Sequence, residues 1–168
     1  MHLRRSLAPA TGALLLVVLS ACGTAATDRI YTPAAGVQER SGTVDVLGAA
    51  VVSAQPGSGT FVASFANNVT DANASVASVE GVNAEELTGG DAQVEIPAGG
   101  LVNLAAEGGI PVTGDFQAGD FVAVTIEFGD GSSVQLDVPV VTNCDIWEGL
   151  DGDDTSGCEA ASDDAHSE

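Results

Sequence analysis

The stretch Val122-Ala123-Val124-Thr125-Ile126-Glu127-Phe128-Gly129-Asp130-Gly131-Ser132-Ser133-Val134-Gln135-Leu136-Asp137-Val138-Pro139-Val140 carries two apolar alternations separated by a turn sequence. Val122, Val124, Ile126 and Phe128 fall on one face of an extended chain, with Ala123, Thr125 and Glu127 on the other. Val134, Leu136, Val138 and Val140 repeat the pattern against Ser133, Gln135 and Asp137. A period of two marks a half-buried strand, because successive side chains point to opposite faces. Asp130-Gly131 between the runs predicts a hairpin whose two turn residues both accept positive φ.

Working outward, the same period recurs from Thr43 to about Val141. It predicts strands at 43–54 (Val44, Val46, Val52), 59–67 (Phe61, Ala63, Phe65), 75–80 (Val76, Val79), 92–96 (Val94, Ile96), 101–105 and 110–113. Gly and Pro punctuate them at Pro56-Gly57, Gly89-Gly90, Pro97, Gly99-Gly100, Gly108-Gly109 and Gly119. No stretch supports a helix longer than two turns, although Asn83 to Leu87 suits a single turn. Many short strands in about a hundred residues predict an all-β domain over 43–142. The expected architecture is an antiparallel two-sheet sandwich with its core between the period-two faces.

Several of these residues resemble a known family. Ile96-Pro97-Ala98-Gly99-Gly100, Gly108-Gly109 and Gly119-Asp120 are similar to the second half of periplasmic copper chaperones of the PCuAC type. Val124 to Gly131 and Val138-Pro139-Val140 continue the likeness, and Phe61 to Asn67 with Asp71 fit the first half more loosely. The resemblance spans about residues 43 to 141 and implies that the all-β domain is an antiparallel two-sheet Greek-key sandwich, cupredoxin-like or Ig-like, in an exported lipoprotein. It also implies Cu(I) held by His and Met, ligands suited to a soft ion. In the family a His-x-Met pair follows a Gly-Gly turn, but here Gly108-Gly109 precedes Ile110, Pro111 and Val112. The segment before Ile96, where the first ligands belong, contains neither His nor Met. No copper ligand is carried over, and no metal or cofactor is expected.

The N-terminus reads as a processing signal over residues 1–21. His2, Arg4 and Arg5 form a basic start, and the apolar run from Leu7 to Leu19 is too short to cross a bilayer comfortably. Leu19-Ser20-Ala21-Cys22 resembles the lipobox of bacterial lipoproteins, which implies acylation of Cys22 and anchoring at the outer face of the membrane. Residues 22–42 show no apolar period and read as a flexible tether; about 20 such residues reach about 25 Å on average.

Cys144 and Cys158 remain once Cys22 is lipidated. In an exported protein an even pair most simply forms a disulfide, and closing a loop of about 15 residues contributes about 3 kcal/mol by the chain-entropy model. The rival reading is a metal or redox site, to which only His166 adds a soft ligand. Trp147, the one tryptophan, lies in this loop with Ile146 and Leu150, and either pins the loop to the sandwich or offers a small binding surface. Residues 143–168 form an acidic tail in which Asp145, Glu148, Asp151, Asp153, Asp154, Glu159, Asp163, Asp164 and Glu168 meet no Lys or Arg. A calcium loop starting at Asp151 fits poorly, with Ser156 where glycine belongs and Ser162 where glutamate does. A solvated, self-repelling tail is the simpler reading.

The chain has 168 residues, 24 acidic against 4 basic, and a formal net charge of −20. Loss of Arg4 and Arg5 with the signal takes that charge from −20 to −22. Such a surface excludes nucleic acid as a partner, since nothing neutralises a row of phosphates, and it is repelled by anionic headgroups. A lipid is then what holds it at a membrane, and a protein partner is left open. Catalysis lacks its parts: there is no lysine, no histidine in the sandwich and no cysteine outside the pair and the lipobox-like Cys22. Glu85-Glu86 reads as a solvated turn, and the sequons at Asn68 and Asn73 carry no weight beside a bacterial lipobox. The expectation is a non-catalytic, lipid-anchored extracytoplasmic protein with a binding or scaffold role. The alternative, from the resemblance, is a copper-handling protein that assists metal delivery to a membrane oxidase.

Overall fold

The computed structural model describes residues 36–83, 86–155 and 158, all within the second of two units into which the chain divides, Ala34–Glu168. The signal at 1–21, Cys22, and the tail acids Glu159, Asp163, Asp164 and Glu168 lie outside the described residues. Among the described residues no helix is long and apolar enough to cross a membrane.

Nine strands carry the fold: β1 (Val37–Glu39), β2 (Val44–Gln55), β3 (Ser58–Asn67), β4 (Ala74–Gly81), β5 (Gly90–Ile96), β6 (Leu101–Asn103), β7 (Ile110–Thr113), β8 (Phe121–Phe128) and β9 (Ser133–Thr142). One short helix, α1 (Leu104–Glu107), separates β6 from β7. The hydrogen-bonded path runs β5-β4-β8-β9-β2-β3-β6, with β1 added to β2 and β7 to β3. The all-β architecture expected from the alternation is present, and it is consistent with the cupredoxin-like or Ig-like sandwich that the resemblance implies. Its layers are not separate, however, because β9 joins them. Ser133–Pro139 pairs antiparallel with β8, and Val140–Thr142 then pairs parallel with Val51–Ser53 of β2. That parallel contact departs from an all-antiparallel sandwich. Thr88 and Thr113 exchange backbone bonds of 2.6 and 2.9 Å, which draws the far margins of the path together. The sheet is therefore nearly closed.

The predicted β8–β9 hairpin forms, with Phe121 opposite Pro139 through Glu127 opposite Ser133. Its turn differs from the Asp-Gly expectation. Phe128 N–H donates to Ser132 O, and only Gly131 has positive φ, at 83°. Gly129-Asp130-Gly131 thus make a three-residue loop ending in a left-handed glycine. Asp130 stays out of the left-handed region because its Oδ1 accepts from both the Ser132 N–H (2.9 Å) and the Ser132 hydroxyl (2.6 Å).

Two other stretches depart from expectation. The strand predicted at 101–105 stops at Asn103, whose side chain accepts from Ala105 N–H and caps α1. Ala105 and Ala106 favour helix, and Gly108, left-handed at φ 93°, ends it. Within the expected tether, Val37 and Glu39 pair with Ala49 and Val46 as β1. Gly36 fits there because a Cβ would lie 2.6 Å from the Gly48 carbonyl carbon. Residues 22–35 of that tether lie outside the described residues.

The core occupies the space enclosed by the path. Val46, Val51, Phe61, Phe65, Val76, Val79, Ile96, Leu104, Val124 and Ile126 form its fully buried centre, with Phe65 and Phe128 edge to face at 6.4 Å. Val76 and Val79 both reach it, although three apart, because the register shifts between Val76 and Ser78. Ala49-Ala50-Val51-Val52 is buried on both faces. Ala49 and Val51 enter this core, while Ala50 and Val52 join Val62 in a second, smaller cluster outside the sheet. What covers that second cluster defines the candidate site.

Candidate functional site

The positions that the family resemblance assigns to copper hold no donor. Gly109 N–H donates to Leu104 O, closing the turn after α1, and the chain enters β7 directly. Ile110 and Val112 turn into the core, and Pro111 lies exposed between them on a strand paired with β3. The other Gly-Gly turn, Gly99-Gly100, leads into Leu101, Val102 and Asn103. The sequence places no His or Met anywhere among the described residues, and no three His, Cys, Asp or Glu side chains there form a group able to hold a metal ion. These residues do not fit a soft cation.

The built feature is instead the segment after β9. Asn143, 2% exposed, is its hub. Its amide donates to Gly152 O (2.9 Å) and Asp154 O (3.1 Å), and its Oδ1 accepts from Asp151 N–H (3.2 Å). Cys144 and Cys158 form a disulfide with Cα atoms 5.5 Å apart, so the pairing inferred from the even count is present. A 3₁₀ turn at Asp145–Trp147 starts the loop, with Asp145 itself left-handed at φ 55°. The loop then lays Trp147 and Leu150 against the Ala50, Val52 and Val62 cluster, which Ala105 and Val141 also border, while Ile146 is exposed. Of the two roles weighed for Trp147, pinning the loop is the one its packing shows.

Asp151 was weighed as the first ligand of a calcium loop and, more simply, as solvated charge; the structure gives it neither role. Its Oδ2 accepts from Ala54 N–H (2.8 Å) and its Oδ1 from the Thr60 hydroxyl (3.0 Å). The register of β2 on β3 shifts between Val52 and Gln55, so Ala54 lies outside the regular pairing, and the carboxylate satisfies its donor. Nearby Ser53 donates to both Gln55 O and Ser58 O at 2.8 Å. Ser156 and Ser162, further positions of the calcium reading, lie outside the described residues.

Two concave regions border the loop. One, of about 220 Å³, lies beside the disulfide, with Ser53, Gln55, Gln117 and Asn143 among its walls. The other, of about 530 Å³, is lined by Ala118, Gly119, Val140, Val141, Ile146 and Trp147 among others. At the opposite end, Asn67 stitches the β3–β4 and β5–β6 connections, donating to Ala72 O and Pro97 O and accepting from Val69 N–H. Two carboxyls are held below their ordinary range there and at the N-terminal margin: Asp130 by the Ser132 hydroxyl and then its N–H, and Glu39 by the Ser41 side chain and then its N–H. Both are surface groups accepting local bonds, and neither belongs to an acid–base pair.

Comparison with known proteins agrees with the fold. No family model matches the chain, and no curated protein does. Among solved structures, a copper-bound PCuAC domain from PmoF2 superposes with a TM-score of 0.51 at 14% identity, covering 63% of this chain and 98% of that domain. An apo PCuAC domain from PmoF1 gives 0.49 at 15% identity, with 63% and 99% covered, and the apo PmoF2 domain gives 0.49 at 12%, with 63% and 95% covered. The described domain therefore has a PCuAC-like fold, as its glycine and turn pattern implied.

Proposed function

We propose that this chain is a lipid-anchored, extracytoplasmic protein of the cell envelope with a non-catalytic binding or scaffold role, built on a PCuAC-like sandwich that lacks the family's copper ligands. The observation that carries it is the replacement of soft donors by Ile110 and Val112, both of which belong to the core. A sequence with 24 acids and no lysine offers no nucleophile–base set either. Cys22 supports the anchor through its lipobox-like setting.

The deciding experiment is titration of the mature domain with Cu(I) against a competing chelator. No tight stoichiometric binding is expected. A tight site would favour the second reading, copper handling for a membrane oxidase, which draws support from the likeness to a copper-bound domain. The anchor is tested by fatty-acid labelling and detergent partition: Cys22→Ala should abolish labelling and leave the protein in the aqueous phase. Label that persists in that variant would sink the lipid assignment.

A further inference from the structure

The loop roofs only part of the apolar face it covers. Val52 is in register with Val141 on β9, and Val141 packs with Trp147 and Leu150 over the second cluster. Two residues back along β9, and so on the same face, stands half-buried Pro139, opposite Phe121 on β8. Phe121 is 69% exposed, and Ile146, beside Trp147 in the shallow groove, is 77% exposed. Gly119 N–H donates to Val140 O, which brings the chain just before Phe121 onto the groove wall. Two of the four large exposed hydrophobics of the described residues thus flank one continuous apolar strip, Phe121-Pro139-Val141-Trp147-Ile146. The other two are Leu101, on β6, and Val82, whose N–H donates to Ala123 O two residues along β8 from Phe121.

The rim of that strip has one sign. Asp145 on the groove wall, Asp137 two residues before Pro139 on the same strand face, and Glu148 next to Trp147 are all exposed. The only Lys or Arg of the described residues is Arg40, on the chain next to β1, where it donates to Gln38. A second copy would bring the same acids against these, and like charges facing across an interface are costly. An apolar centre with an acidic rim fits a complementary partner.

We propose that the Phe121–Ile146 strip is a docking surface for a protein segment that presents apolar side chains flanked by Lys or Arg. This deepens the binding role proposed above and rests on it. The test uses the purified mature domain and Trp147, the chain's single tryptophan, as reporter. A synthetic peptide of alternating Leu and Lys should shift Trp147 emission to the blue on saturable binding. Peptides of alternating Leu-Glu or Ser-Lys should not. Phe121→Ser with Ile146→Ser should weaken binding about tenfold, which at about 1.4 kcal/mol per decade is within reach of two interface side chains. Leu101→Ser, on β6, is the control and should leave binding unchanged. Equal binding of the Leu-Glu peptide, no binding of any peptide, or indifference to the Phe121/Ile146 pair would overturn the proposal. So would Trp147-detected binding to phosphatidylcholine vesicles, which would make the strip a lipid contact, or a concentration-dependent dimer in sedimentation that the same pair abolishes. Failure here leaves the non-metal reading standing, because that is read separately from Cu(I) titration.

Discussion

Phe61 and Phe65 are enclosed by strands, whereas Ala50, Val52 and Val62 are roofed by a disulfide-closed loop. The first cluster is a product of alternation: each strand contributes every second residue, and the sheet path closes around them. The second exists because β2 is apolar on both faces and needs a cover that the sheet cannot supply. Period-two patterning builds an interior, and a double-sided strand then demands a further element to hide its other face. That cover is fastened by a covalent bond, two packed side chains and one carboxylate, and each can be tested against the enclosed core.

The largest effect is expected from Phe65→Ala, which empties the enclosed core and should cost about 3–5 kcal/mol in urea unfolding. Far-UV circular dichroism and Trp147 emission should then shift together, since both clusters depend on the sheet; separate midpoints would show that the roof is independent of it. Replacing both Cys144 and Cys158 with serine should cost about 3 kcal/mol and move the Trp147 transition below that of the sheet. Coincident transitions would mean that packing alone holds the roof. Asp151→Ala leaves Ala54 N–H and the Thr60 hydroxyl without their acceptor, at about 2 kcal/mol, and should raise amide exchange at Ala54. Asp151→Asn, which keeps one acceptor oxygen, should cost less.

The smallest effect concerns the hairpin turn. Asp130 is held below the ordinary aspartate range by Ser132, so its contribution is present above the unfolded value and is lost as pH falls through the lower folded value. NMR titration should find Asp130 depressed in the wild type and restored toward the ordinary value in Ser132→Ala. An unchanged titration would remove Ser132 as the cause.

Legibility follows the same division. Val122 to Val140 could be read from sequence because alternation, turn and partner strand all lie within one short stretch. The PCuAC-like fold was legible from spaced glycines, since turns impose local conformational demands. α1 was not, because Leu104 continues the apolar alternation of β6 and only the Asn103 cap redirects the chain. β1 escaped because three residues give no period and its partner supplies the reason to extend. The role of Asp151 was hidden for a different reason: its partners lie 97 and 91 residues away, and an acid in an acidic tail looks like solvated charge. Periodicity sees neighbours along the chain, and this carboxylate has none that matter.

The switch of β9 from β8 to β2 also sets the order in which the molecule can be completed. The first long strand pairs with the last, Val51 beside Val140, so the sheet keeps an open margin until nearly the whole domain is available. Loop-closure entropy is met before that contact rewards it, which places folding in the slow, millisecond-to-second regime of β-rich topologies. A chain emerging from its N-terminus therefore has a long interval in which β2 is made and unpaired on that side.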